Sequence, residues 1–122
     1  MRVAVVGATG YVGGRLVPEL LAAGHQVRCL ARNPERLTGV PWRDRVEVAT
    51  ADVLDQASLE AAFADVDVVH YLVHAMGHSG DFRTTDREGA TNTRHAAESA
   101  GVGHIVYLGG LGDDARGELS HH

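Results

Sequence analysis

Hydrophobic positions along the chain recur with two periods, one typical of strands and one typical of helices. Short, valine-rich apolar runs predict five strands, at residues 2–7, 26–31, 45–50, 67–73 and 104–109. Apolar residues at helical spacing predict three helices between them, over residues 10–23, 56–64 and 83–100. Parallel neighbours need a crossover connection, which a helix supplies, so the alternation predicts an α/β fold with a mainly parallel sheet. Near-continuous apolar strands such as "VAVVG" indicate that both faces of this sheet are covered.

Proline and glycine mark where these elements stop. The segment 33–45, "NPERLTGVPWRDR", carries two prolines and leaves room for at most one helical turn. We expect a loop with one short helix there. The first and third predicted helices are followed by Gly24 and Gly101, which predict left-handed caps.

The first predicted strand runs directly into a glycine-rich turn. Gly7, Gly10 and Gly13 form the pattern G-x-x-G-x-x-G at the start of the first helix. The first glycine allows a tight turn, the second lets the backbone approach a pyrophosphate, and the third lets the helix lie close to the sheet. Helix-terminal N–H groups would then hold the anion. A simple glycine-rich turn is the alternative, but the strand before it and the amphipathic helix after it favour a dinucleotide site. The other candidate contacts in this turn are Thr9, Tyr11 and Val12.

Arginine at the end of the second predicted strand indicates which dinucleotide is bound. A ribose 2′-hydroxyl pairs with a carboxylate about 20 residues beyond the glycines, whereas a 2′-phosphate pairs with arginine. Arg32 stands at this position and Arg36 follows a turn later. The pair favours NADP(H), with NAD(H) as the alternative cofactor and a solvated surface arginine as the alternative for Arg32.

Two further strand ends supply candidate contacts to the nucleotide. After the third strand, Asp52 and Val53 offer a carboxylate and a backbone N–H to the adenine edge. The alternative is an ordinary helix-capping loop, in which Asp55 and Ser58 serve as caps. Strand ends in open α/β sheets face the ligand crevice. The candidates at the end of the fourth strand are Leu72, Val73 and His74.

Charge and composition indicate which classes of partner the protein binds and where in the cell it is located. The formal net charge is −5, and the eleven basic residues, all arginine, are scattered along the chain. No basic stripe exists that would bind a nucleic acid backbone. The single cysteine, Cys29, cannot form an internal disulfide and lies in an apolar segment. No signal peptide or membrane span is visible, so we expect a cytoplasmic protein without a membrane partner.

Five segments together carry a family resemblance over essentially all 122 residues: "GATGYVGGRLVPELLAAGHQVRCLARNP", "ADVLD", "YLVHAMG", "REGATN" and "GVGHIVYLGGLG". They resemble the atypical short-chain dehydrogenase/reductase family, in particular members similar to the NAD(P)-binding complex I 39-kDa-like and nitrogen-metabolite-repressor-like proteins. The resemblance implies a three-layer, Rossmann-like doubly wound sheet of five parallel strands in the order 3-2-1-4-5. It also implies NAD(P) binding through the glycine turn and recognition of the cofactor phosphate at Arg32, and Asn92 matches a helix asparagine of the family.

The end of the chain bears on its domain organisation. A doubly wound nucleotide-binding fold usually continues past its fifth strand. Here the last residues, "GGLGDDARGELSHH", are glycine-rich, acidic and without periodicity. We therefore expect a fold truncated after strand five, with an NAD(P)-binding domain at residues 1–112 and a flexible or truncated tail at residues 113–122. Such a fold would leave apolar surface beside strand five, so we also expect a homo-oligomer formed through that region or the third predicted helix.

The catalytic centre departs from the family. Active reductases of the family resemble one another in a serine at the end of strand five and a Tyr-x-x-x-Lys motif, in which lysine lowers the tyrosine pKa. This chain has glycines at positions 109 and 110, no lysine, and no tyrosine that fits the motif. We predict no catalytic residue and no metal site within these residues. Two hypotheses stay open: the dinucleotide-binding part of an oxidoreductase or isomerase that acts on a small molecule, and a non-catalytic redox sensor or regulatory protein that holds NAD(P)(H).

Overall fold

Five parallel strands form one sheet in the part of the chain that the structure, a computed structural model, describes: residues 1–8, 11–72 and 81–107. The strands are β1 (Arg2–Val6), β2 (Gln26–Ala31), β3 (Glu47–Thr50), β4 (Val68–Tyr71) and β5 (His104–Tyr107). Their order across the sheet is β3-β2-β1-β4-β5, as expected from the family resemblance. β1 lies in the middle, where Val5 stands opposite Cys29 on one side and His70 on the other.

Among the described residues, three α-helices connect the strands: α1 (Tyr11–Ala22), α2 (Gln56–Ala62) and α3 (Asp81–Ala100). The predicted caps are confirmed, because Gly24 and Gly101 follow α1 and α3 with φ values of +92° and +82°. None of the helices described is both long enough and apolar enough to cross a membrane.

The prediction of at most one helical turn in segment 33–45 is wrong. Two 3₁₀ helices lie there, at Pro34–Leu37 and Arg43–Arg45. Two buried side chains explain the difference. Leu37, at the end of the first 3₁₀ helix, and Trp42, just before the second, both insert into the core, so the chain turns towards the sheet at two places. The second 3₁₀ helix also delays the start of β3 to Glu47, two residues later than predicted.

Both faces of the sheet are covered at its centre, which makes the fold three-layered. On one face, α1 and the segment after β2 bury a cluster that includes Val5, Val17 and Leu37. On the other face, α2 and α3 bury a second cluster that includes Phe63 and Ala96. β1 contributes to both clusters because its successive side chains point to opposite faces. This is the doubly wound, Rossmann-like arrangement, and its ligand crevice lies at the carboxyl ends of the strands.

Candidate functional site

The carboxyl ends of four neighbouring strands meet at one edge of the sheet. The N–H of Leu72, just after β4, donates to the carbonyl of Val6 at the end of β1 (2.8 Å). The N–H of Ala51, just after β3, donates to the carbonyl of Ala31 at the end of β2 (3.1 Å). The described residues that closely follow these strands, Gly7, Arg32, Asp52 and Leu72, therefore lie at the same edge.

The turn after β1 has the geometry that its glycines predict. Gly7 has a φ of +99°, a conformation that glycine adopts without strain. Gly13 is buried, and a Cβ built on it would lie 2.5 Å from the Cα of Ala8. No side chain fits in that space, so glycine lets α1 lie directly against the end of β1. Gly14, the next residue, would place a Cβ in open space.

The charge of the first turn of α1 bears on whether an anion can bind there. This turn carries no acidic side chain, so no carboxylate of that turn offsets the partial positive charge of the helix terminus. Val12 lies in this turn and is 42% exposed. Of the other candidates in the turn, Thr9 and Gly10 lie outside the described residues, as does the side chain of Tyr11.

Two exposed arginines follow β2. Arg32 comes directly after Ala31, and Arg36 lies in the first 3₁₀ helix. Other arginines of the described chain do have acidic partners, since Arg28 pairs with Glu47 and Arg94 with Glu98. Arg32 and Arg36 instead present two guanidinium groups that the described acidic residues leave unpaired.

The loop after β3 is organised by local hydrogen bonds. Asp52 accepts the N–H of Leu54 with Oδ1 (2.9 Å), and its own N–H donates to the Oγ of Ser58 (3.0 Å). Asp55 caps α2 by accepting the N–H of Ser58 (3.4 Å). The capping role of Asp55, which belonged to the alternative interpretation of this loop, is confirmed, whereas Ser58 hydrogen-bonds the backbone of Asp52 and Asp55.

Helix α3 contacts this loop at Val53. The Nδ2 of Asn92 donates to the carbonyl of Val53 across the interface (2.9 Å). A Cβ on Gly89, one turn earlier, would lie 2.9 Å from the Cγ2 of Val53 and from the Oη of Tyr71. The sequence pattern did not single out Gly89, although a glycine within a helix was an available signal.

The end of β4 is described as far as Leu72. The Leu72 side chain is 6% exposed and belongs to the core on the α1 face. Its side chain therefore packs into the core, while its backbone lies at the edge where the strands end. Val73 and His74, the other two candidates at this strand end, lie outside the described residues.

Burial shifts the pKa values of Cys29, His70 and Tyr107 in the direction that favours their neutral forms. Burial raises the pKa of the Cys29 thiol to about 12, although the Arg43 charge opposes this shift. Burial lowers the pKa of His70, and the His25 charge adds to the effect. Burial also raises the pKa of Tyr107, whose ring contacts Tyr71 edge to face with a centroid distance of 5.6 Å. Cys29 is therefore no thiolate nucleophile at neutral pH. Across residues 1–8, 11–72 and 81–107, no three histidine, cysteine or acidic side chains come together as a metal site would require.

Known proteins share both the sequence pattern and the fold. Residues 7–121 match a protein-family profile described as NAD(P)H-binding. Cinnamoyl-CoA reductase 1 of Oryza sativa subsp. japonica is 35% identical over 118 residues, which cover 90% of this chain and 34% of that protein. The 3-beta-hydroxysteroid dehydrogenase of Mycolicibacterium neoaurum is 30% identical over 116 residues, 87% of this chain and 31% of that protein. The chain thus spans about a third of the length of these two relatives.

A solved structure with a bound nucleotide has the same fold. The triphenylmethane reductase of Citrobacter sp., complexed with NADP(H), superposes with a TM-score of 0.74 at 30% identity. The match covers 99% of this chain and 43% of that one.

Proposed function

The chain belongs to the NAD(P)H-binding family, and from this premise we propose that it binds NADP(H) in preference to NAD(H). The observation that carries the preference is the pair of exposed arginines after β2, Arg32 and Arg36, which lack acidic partners among the described residues. A planar guanidinium pairs well with a phosphate. The NADP(H) complex of the Citrobacter sp. reductase supports the same choice.

The glycine turn holds the pyrophosphate in this proposal. Gly7 makes the turn after β1, and Gly13 lets the start of α1 lie against Ala8 at the end of that strand, which leaves the helix N-terminus facing the crevice in this proposal. Thr9, Gly10, Tyr11 and Val12 complete this part of the site. The first-turn N–H groups and the helix dipole attract the negative charge.

The base and the nicotinamide lie on either side of the pyrophosphate. The Asp52 carboxylate and the Val53 N–H contact the adenine edge. Leu72, Val73 and His74, at the end of β4, line the crevice on the nicotinamide side. When bound, the nicotinamide supplies hydride transfer, and the residues of this chain bind and orient it.

The chemistry done with the cofactor has two candidate answers. The first is that residues 1–112 are the dinucleotide-binding domain of an oxidoreductase or isomerase that acts on a small molecule, and the reductases and dehydrogenases among its relatives support this. The second is a non-catalytic redox sensor or regulatory protein that holds NAD(P)(H). The sequence of the whole gene distinguishes the two, because a Tyr-x-x-x-Lys motif there would support the enzyme. In either case we propose a cytoplasmic protein that self-associates through β5 or α3.

Titration with NADPH and NADH tests the nucleotide assignment. We expect the wild type to bind NADPH more tightly, and Arg32→Asp to lose roughly tenfold or more in NADPH affinity, because it replaces a charge-assisted contact with a repulsive one. Arg87→Asp makes the same change of charge on α3, where Arg87 is exposed, and should leave the affinity unchanged. Absence of binding to either nucleotide would refute the proposal. Tighter binding of NADH, unchanged in Arg32→Asp, would refute the phosphate assignment alone.

A further inference from the structure

Side chains of two helices hydrogen-bond the backbone of the loop from Asp52 to Asp55. From α2, Ser58 accepts the N–H of Asp52 (3.0 Å) and donates its hydroxyl to the carbonyl of Asp55 (2.8 Å). From α3, Asn92 donates to the carbonyl of Val53 (2.9 Å). The loop backbone is therefore set by side chains of α2 and α3, the two helices that pack together on this face.

The Asn92 contact joins residues 39 positions apart in the chain. Both partners are partly buried, so the Val53 carbonyl would lose a hydrogen bond that water replaces poorly if the amide were removed. The carboxamide offers a donor with a directed geometry. Asn92 thus constrains the backbone of Val53 from a rigid helix.

Gly89 and Thr93 allow α3 to come this close. Any side chain at position 89 would collide with Val53 and Tyr71. Thr93 is fully buried and turns its hydroxyl back onto its own helix, donating to the carbonyl of Gly89 (2.8 Å). The helix surface that meets the loop is therefore shaped for a direct contact by Asn92.

Two polar groups of the held loop are left for a ligand. Asp52 uses Oδ1 to accept the N–H of Leu54, whereas its Oδ2 and the N–H of Val53 make no hydrogen bond to the described residues. An acceptor beside a donor matches the adenine edge, where the 6-amino group donates and N1 accepts. Hypoxanthine presents an oxygen and an N1–H instead, so both groups would face a partner of the same polarity.

We propose that Asn92 is a positioning residue for base recognition, which holds Val53 so that the loop binds adenine and rejects hypoxanthine. The inference rests on the proposed dinucleotide site. Asn92 does not contact the base. Its effect is to keep the Val53 N–H and the Asp52 carboxylate at the spacing that the adenine edge requires.

The test compares NADPH with the reduced nicotinamide hypoxanthine dinucleotide phosphate, in which only the base differs. We expect the wild type to prefer NADPH by roughly tenfold or more, because two hydrogen bonds are replaced by repulsive contacts. In Asn92→Ala and in the isosteric Asn92→Asp, this ratio should fall to about threefold or less as the loop backbone is released. Ser99→Ala, an exposed change on the same helix, is the control and should keep the wild-type ratio.

The ratio of the two affinities distinguishes a positioning role from a general loss of structure, because a loss of folded protein weakens the binding of both nucleotides equally. Wild-type binding of NADPH without base preference, or Asn92 variants that keep the full preference, would overturn the inference and leave the proposed function intact. A wild type that binds neither nucleotide would overturn both. If the Asn92 variants do not fold, amide NMR of the wild type decides. The Val53 resonance should shift more with NADPH than with the hypoxanthine analogue, and equal shifts would overturn the inference.

Discussion

At the scale of single residues, two adjacent glycines in α1 differ in the space available for a side chain. A Cβ on Gly13 would lie 2.5 Å from the Cα of Ala8 and 2.8 Å from its carbonyl carbon and oxygen. These are backbone atoms, which cannot rotate away as a flexible side chain can. A Cβ on Gly14 meets nothing within 4 Å. The close approach of α1 to β1 therefore depends on Gly13, while Gly14 is free to carry a side chain.

Alanine substitutions at the two positions should shift stability in opposite directions. We expect Gly13→Ala to lower the free energy of unfolding by about 1–3 kcal/mol through overpacking, and to weaken NADPH binding by displacing the turn. Gly14→Ala should raise the free energy of unfolding by about 0.5–1 kcal/mol, because alanine favours the helix. Urea denaturation and nucleotide titration of both variants provide the measurement. Equal effects of the two substitutions would contradict the close contact.

At the scale of elements, Arg28 joins β2 to β3 and to the end of α2. Its Nε pairs with Glu47 (2.9 Å), and its Nη1 donates to the carbonyls of Ala62 (2.7 Å) and Ala64 (2.8 Å). These carbonyls lie at the carboxyl end of α2, where the partial negative charge of a helix favours a cation. The Arg28 side chain is only 16% exposed, so solvent screens these contacts incompletely.

Removal of this contact should be costly compared with removal of a surface pair. We expect Arg28→Ala to lower the free energy of unfolding by about 2–3 kcal/mol, because two carbonyls lose a charged donor. Arg94 pairs with Glu98 at 4.0 Å with both side chains largely exposed, so Arg94→Ala should cost less than about 0.5 kcal/mol. Chemical denaturation of the two variants measures the difference. Similar losses would mean that the Arg28 contacts add no more than an exposed pair.

At the scale of the whole molecule, β5 lies at an edge of the described sheet with its two faces in different surroundings. Ile105 and Tyr107 pack against the core on the α3 side. His104 and Val106 point to the opposite face, where His104 is exposed and Val106 half-buried. These features support the proposal of self-association near β5.

Sedimentation velocity tests this proposal directly. We expect the protein to sediment as an oligomer at micromolar concentration, and a charge at the interface to favour the monomer. His104→Glu probes β5 and His95→Glu probes the exposed side of α3, so the variant that dissociates identifies the surface. Thr50→Glu, an exposed change on the other edge strand β3, is the control. A wild type that remains a monomer at all concentrations would disprove self-association.

Much of the fold could be predicted from the sequence because its signals are local. Valine-rich runs, helical spacing and glycine caps each depend on residues close together in the chain, so the five strands, the three helices and the caps at Gly24 and Gly101 were found. The segment after β2 was not, because its two 3₁₀ helices form where Leu37 and Trp42 find a core made by distant residues. Local pattern did not reveal that core.

The residues of the candidate site likewise fall into those that the sequence identifies and those that only the structure identifies. The sequence by itself determined the glycine turn, the arginines after β2 and the carboxylate after β3, because strand ends of a parallel sheet meet at one edge whatever their spacing in the chain. Only the tertiary structure decided that Asn92 and Gly89 of α3 meet Val53, and that the close approach predicted at Gly13 leaves 2.5 Å between a Cβ there and the Cα of Ala8. These facts depend on distances between elements, which close packing sets to fractions of an ångström and which no residue pattern records.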